Sequence, residues 1–185
     1  MDITKLIKAL KAYYPDHTSL DESEIADHPF YEALRKRCTS CYDKKTNWEN
    51  FLRYVDDNLA IKVIDYSFLL NSFNPSYTAY VLSEQSNPYW LTVKVSVIEP
   101  VYLLYYDNRS PDQHNRFIRV NAITESEKNI LSQIQEGLLK FYPDHSPLDL
   151  FTGFYQLSDF GEIKTYRRKP FLDECLFGPY LSIHA

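Results

Sequence analysis

Apolar positions recur at two different spacings along this chain, and the change of spacing divides it. In ITKLIKALKAYY, Ile3, Leu6, Ile7, Leu10 and Tyr14 come at intervals of three and four, which places them on one helical face. A second helix is predicted after Asp27, a suitable N-cap, with Pro29 early in its first turn and Phe30, Tyr31 and Leu34 turned inward. A third has Asn47 as its expected cap and Trp48, Phe51, Leu52, Val55 and Leu59 as its stripe. After Asn58 the period drops to two, the spacing of strands. IKVIDYSFLL, YTAYVLSE, YWLTVKVSVIE, VYLLYYD and RFIRVNA each fit an extended run. Leu91, Val93, Val95 and Val97 alternate with Thr92, Lys94 and Ser96, so that strand is expected to have one buried and one wetter face. Pro75, Pro88, Pro100 and the NRSPDQHN stretch break the runs, and short connections favour antiparallel neighbours.

Helical spacing returns over residues 124–142. Thr124 and Glu127 spell a capping box, and Ile130, Leu131, Ile134, Leu138 and Phe141 supply the stripe. Residues 150–185 read as a hairpin turning near Asp159–Gly161, followed by an apolar tail. No Pro/Gly/Ser-rich linker divides the 185 residues. The expected architecture is a single α+β domain: residues 1–60 mainly helical, 61–122 sheet, and the helices packed on one face of a largely antiparallel sheet.

Composition changes this picture at one point. Aromatic residues make up 16% of the chain, led by sixteen Tyr, whose apolar body and polar tip suit half-buried sheets and recognition surfaces alike. The formal net charge of −5 favours a basic partner over nucleic acid. The short basic clusters Arg35-Lys36-Arg37 and Arg167-Arg168-Lys169 lack an accompanying aromatic–Gly pattern, which leaves nucleic-acid binding weakly supported. No apolar run reaches the roughly 20 residues that span a bilayer, and the Lys-bearing amino terminus lacks a secretory core. Three cysteines suit a reducing compartment. The expected location is cytoplasmic, with no membrane partner.

Candidate chemistry is sparse. YYPDHTSLD at 13–21 returns as FYPDHSPLD at 141–149, each copy after an amphipathic helix. Pro15 and Pro143 stop those helices. Ser146 then reads as an N-cap, Pro147 as the first helical residue, and Asp149 as an acid near the positive end of the dipole. The repeat therefore reads as helix punctuation. Its chemical alternative is a metal-dependent enzyme using Asp16, His17, Asp144 and His145, although neither copy has the two-ligand helical spacing of a metallohydrolase. Cys38-Thr-Ser-Cys41 lies in a helix rather than between strand and helix, and Cys175 is the remaining cysteine, so ordinary thiols are expected. With only four Gly, neither phosphate loops nor a G-x-S-x-G elbow occur. Asp56 and Asp57 diverge on a helix, and His114 and His184 have no evident carboxylate partner. No catalytic residue, metal site or cofactor is predicted.

The strand pair NPYWLTVKVSVIEPVYLLYYD and the following TESEKNILSQIQ helix, in a small acidic Tyr-rich chain, resemble the immunity proteins of bacterial polymorphic-toxin and type VI secretion systems. The resemblance covers residues 60–145 in style and carries over no functional residue. It implies a stoichiometric inhibitor that covers a toxin's active site. Such a role needs only a complementary surface with aromatic anchors and steering charges. Glu84, Tyr89, Trp90, Tyr106 and Asp107, at expected strand ends or turns, are the candidate partner-binding residues. A regulatory or structural interaction module unrelated to toxins is the alternative from the same residues.

Overall fold

The computed structural model describes residues 2–14, 29–43, 45–59, 61–67, 75–82, 89–108, 118–160 and 169–178. Its helices are α1 (Ile3–Leu10), α2 (Pro29–Tyr42), α3 (Thr46–Asn58), α4 (Glu125–Phe141), α5 (Leu150–Gly153) and α6 (Leu172–Phe177). Its strands are β1 (Val63–Asp65), β2 (Ser76–Leu82), β3 (Tyr89–Ser96), β4 (Val101–Asn108), β5 (Ile118–Arg119) and β6 (Ser146–Pro147). The sheet runs β1-β2-β3-β4-β5 with every pair antiparallel, and β6 adds a parallel pairing at Val101–Tyr102. This is an α+β fold on a largely antiparallel sheet. No described helix is long and apolar enough to cross a membrane.

Register assigns the two faces. Residues directly opposite across a ladder point the same way. Tyr77, Ala79, Val81, Leu91, Val93, Val95, Tyr102 and Tyr106 therefore share the first face. α3 and α4 cover it. Trp48 stacks on Tyr77 with ring centroids 5.4 Å apart, and the Tyr106 hydroxyl donates to the Glu127 carbonyl at 3.1 Å. The two helices approach closely because residue 137 is glycine: a Cβ there would stand 2.9 Å from Tyr54 Cδ1 and 3.1 Å from Phe51 Cε2. Leu138 and Ile134 fill the seam with no exposure.

The second face carries Ser76, Thr78, Tyr80, Thr92, Lys94, Ser96, Leu103, Tyr105 and Asp107. Here the structure departs from the expected wet face and from helices on one side only. Thr92, Lys94 and Ser96 are as buried as the valines between them. α6 lies over them, and Ser76 Oγ donates to the Phe177 carbonyl at 3.0 Å. Behind α6 the Tyr14 hydroxyl, just beyond α1, donates to the Cys175 carbonyl at 2.9 Å. The alternation of polarity in β3 marks its two faces. It could not say that the polar one would be roofed by a helix about 80 residues downstream, because periodicity reports direction and not cover.

Two expected caps are corrected. α3 begins at Thr46 with Lys45 in the N-cap position and no side-chain cap bond, so Asn47 lies inside the first turn. Lys45 instead pairs with Glu49 one turn on, at 3.1 Å. Ser146 does not cap a helix either. It is in β6, where Ser146 N donates to the Pro100 carbonyl and Leu148 N, just past the strand, to that of Tyr102, and the chain turns helical only after Asp149, which accepts from Thr152 N at 3.0 Å. The capping box at Thr124 and Glu127 is present in both directions, at 3.1 Å and 3.2 Å. Asp27 falls outside the described residues. Beyond α5, Gln156 and Phe171 form one antiparallel bridge, and α6 follows within what the sequence presents as tail. Gly161, in the expected turn, falls outside the described residues.

Removing the true cap should cost more than removing the apparent one. Asp149→Ala is expected to lower unfolding free energy by about 1 kcal/mol, and Ser146→Ala by less than about 0.5 kcal/mol. Urea denaturation of the two variants checks this; equal losses would return the cap to Ser146.

Candidate partner-binding site

β5 leaves the last full strand of the sheet with one charged residue, Arg119, directly opposite Tyr106. Its guanidinium lies between two rings, 4.3 Å from the Tyr106 centroid and 4.4 Å from that of Tyr89. A planar, weakly hydrated cation fits such a slot better than an ammonium would. Nη2 pairs with the Glu127 carboxylate, which is only 1% exposed, and Nη1 donates to the Asn121 carbonyl. The other Glu127 oxygen accepts from Ile123 N and Thr124 N at 2.8 and 3.2 Å. One carboxylate thus ties together β5, the turn at 120–123 and the first turn of α4. Burial, with Glu127 adding to it, pushes the Tyr106 phenol up to about 12 against the pull of Arg119. It stays a neutral donor at physiological pH.

Beside this clamp opens a groove of about 580 Å³, with Arg119, Ile118, Ile123, Leu150, Phe151 and Phe154 among its lining residues. Phe151 is 74% exposed and Ile123 70% exposed. α5 forms the far wall. It is seated by the Asp149 cap, by Leu148 N donating to the Tyr102 carbonyl at 2.8 Å, and by Phe154 meeting Phe171 edge-on. The near wall is set by the turn that Glu127 fastens. Ile123 and Phe151 line one groove, which gathers exposed apolar side chains in a place a partner could cover.

The sequence-predicted residues divide around this groove. Tyr89 and Tyr106 come together behind it, through Arg119. Trp90 and Asp107 are cross-strand partners on the opposite face, and Trp90 packs against Tyr80 at 6.1 Å. Burial corrects the expectation for two of the five: Tyr106 is 1% and Asp107 0% exposed, so neither presents a side chain to a partner. A central three-strand ladder with helices on both faces leaves its alternate positions no outlet. Tyr89 and Trp90 remain half-buried, and Glu84 lies outside the described residues. Ile123 and Phe151 were missed. One signal existed for Ile123: it precedes the Thr124 cap, where an apolar residue normally packs on the fourth helical position, and that position is Lys128. Phe151 sits in a four-residue helix too short to show a period.

Of the other chemical candidates, His145, Cys38 and the basic run of α2 lie among the described residues. Among the described residues no group of three His, Cys, Asp or Glu could hold a metal, and Asp16 and His17 fall outside them. His145 packs its ring against Tyr142, and burial holds its imidazole below the ordinary value despite the Ser96 backbone and Asp144. Cys38 is buried in α2, where burial and Cys41 push the thiol up to about 12. Such a thiol is protonated and a poor nucleophile. The basic run of α2 disperses: Lys36 pairs with Glu32 at 2.8 Å, while Arg37 Nε donates to the Val97 carbonyl at 2.7 Å.

Glu127→Ala should strand the Arg119 cation between its two rings and release the turn, at a cost of about 3 kcal/mol. Glu127→Gln keeps the backbone acceptor and should cost less. A loss below about 1 kcal/mol for the alanine variant in urea would mean that the pair does not fasten the groove. Comparison with protein-family models, with curated proteins and with solved structures returns no match.

Proposed function

We propose that this chain is a stoichiometric binding protein that neutralises a cognate bacterial toxin by covering its active site, with the groove between β5 and α5 as its contact surface. The observation that carries this reading is the pair of exposed apolar side chains, Phe151 and Ile123, that line one groove together with Arg119, the partner of Glu127. Inhibition by occlusion asks for a preorganised apolar anchor and nothing catalytic. The resemblance to immunity proteins supplies the partner class, and the net charge of −5 suits a partner with a basic surface. Enzymes that act on nucleic acid or nucleotides carry such surfaces because they must attract phosphate. Tyr89 acts here by positioning Arg119, and Trp90 is half-buried at the same end of β3.

The test is an equimolar complex with the toxin encoded beside this gene. Phe151→Ala and Ile123→Ala should each weaken it at least tenfold, a change of about 1.4 kcal/mol. The same substitutions should leave folding stability within about 0.5 kcal/mol, since both side chains are exposed. The association rate should fall as salt rises, while dissociation responds mainly to the apolar substitutions. Unchanged affinity in both variants would move the contact elsewhere on the chain. Substrate turnover by the purified chain alone would remove the inhibitor reading.

A further inference from the structure

Beside the groove runs a hydrogen-bonding edge, the outer side of β5. Register fixes which main-chain groups face it. Ser146 N and Leu148 N donate to the carbonyls of Pro100 and Tyr102, so the even-numbered residues of β4 turn their main-chain groups away from β3. Tyr106 keeps that parity, and Arg119 stands directly opposite it. The N–H and C=O of Arg119 are therefore the groups of β5 that bond to β4. A trans peptide sets a C=O and the following N–H in opposite directions, and the described peptide bonds are all trans. Val120 N–H and Ile118 C=O consequently point away from β4. Among the described residues the strand order ends at β5, and no strand pairs with its far side. An edge of this kind is a template for pairing with another chain.

Ile118, Arg119 and Val120 also line the groove, together with the exposed Ile123 and Phe151. A polypeptide bonded to the edge of β5 thus lies along apolar surface as well. An extended segment makes both contacts at once, main chain to the edge and side chain to the groove. A helix has its main-chain groups bonded within itself and gains nothing from an open edge. Charge narrows the occupant further. Arg119 is neutralised by Glu127, and Asp149, exposed and adjacent in the chain to Leu150 of the lining, adds a negative charge. A segment with an apolar residue next to a Lys or Arg complements that surface, in keeping with the net charge of −5.

We infer that the groove takes its partner by strand addition. An extended segment of the toxin, apolar with a flanking Lys or Arg, accepts from Val120 N–H and donates to Ile118 C=O along the outer edge of β5. Its apolar side chain lies against Ile123 and Phe151. Strand addition rests on the toxin-binding reading of the same groove and specifies the form that the contact takes.

Amide hydrogen exchange tests this on the full chain, free and in an equimolar complex with the toxin encoded beside its gene. In the free chain the Val120 amide should exchange about tenfold or more faster than that of Arg119, which is bonded to β4. In the complex the Val120 amide should slow by about tenfold or more, while that of Arg119 changes by less than about threefold. Val120→Pro removes the outward N–H and leaves the pairing of Arg119 with β4 in place, and it should weaken the complex about tenfold or more. Should that variant not fold, the Val120 amide of the wild-type chain decides alone. A complex that forms with the Val120 amide unchanged would overturn strand addition and leave the toxin reading standing. A Val120 amide as slow as that of Arg119 in the free chain would overturn it too, because the edge would already be covered. If that protection rose with the concentration of the free chain, the occupant would be a second copy and the assignment to the toxin would fall. Absence of any complex would remove the toxin reading and strand addition with it.

Discussion

Burial of β3 on both faces is the constraint on which the rest of this structure depends. A strand with helices on only one side could leave Thr92, Lys94 and Ser96 in water at no cost. Here all three are covered, and covering them is unfavourable unless something offsets it. The offset comes from α6, which brings Leu172, Leu176 and Phe177 onto the sheet together with the polar contacts. Each such apolar side chain contributes about 1.5–3 kcal/mol on full burial. The first face is simpler. Trp48, Phe51, Tyr77, Ile134 and Leu138 make a continuous apolar layer, and the aromatic stack of Trp48 on Tyr77 centres it.

That division also decides where recognition can occur. With both faces of the central ladder occupied, alternate residues of β2, β3 and β4 point into helices, and aromatic side chains there serve the interior. Tyr106 is the clear case: it looks like an anchor at a strand end and works as a support, pressing on Arg119 and bonding to Glu127. Apolar surface remains at the margin, where β5 is only two residues long and α5 only four. Ile123 in the turn before α4 and Phe151 in α5 stay exposed there. The groove between them is a consequence of the sheet ending there.

Much of this was legible in the sequence, for identifiable reasons. The stripes of α1, α3 and α4 follow from spacing, and the Thr124–Glu127 box fixes the start of α4 within one residue, because caps and periodicity agree there. The largely antiparallel sheet followed from short connections that favour antiparallel neighbours. What the sequence withheld was contact between distant segments. Nothing near Ser76 announces Phe177, and nothing in LDECLF announces a roof for β3. Ser146 and Asp149 were both plausible caps, and the choice fell to Asp149 because Ser146 was taken by pairing with β4. The groove is a tertiary product in the same sense, since its two rims lie on either side of a 17-residue helix.

The burial of Lys94 tests this account most directly. Its ammonium lies beneath α6 at 1% exposure, whereas Lys36 and Lys128 are 72% and 55% exposed on their side chains. Trace acylation of lysines in the folded chain near neutral pH, read by mass spectrometry of peptides, compares them in one sample. The account predicts that Lys94 reacts at least tenfold more slowly than Lys36 and Lys128, and that unfolding in urea removes the difference. Labelling of Lys94 at the rate of the exposed lysines in the folded chain would contradict it, because the second face of the sheet would then be open to water.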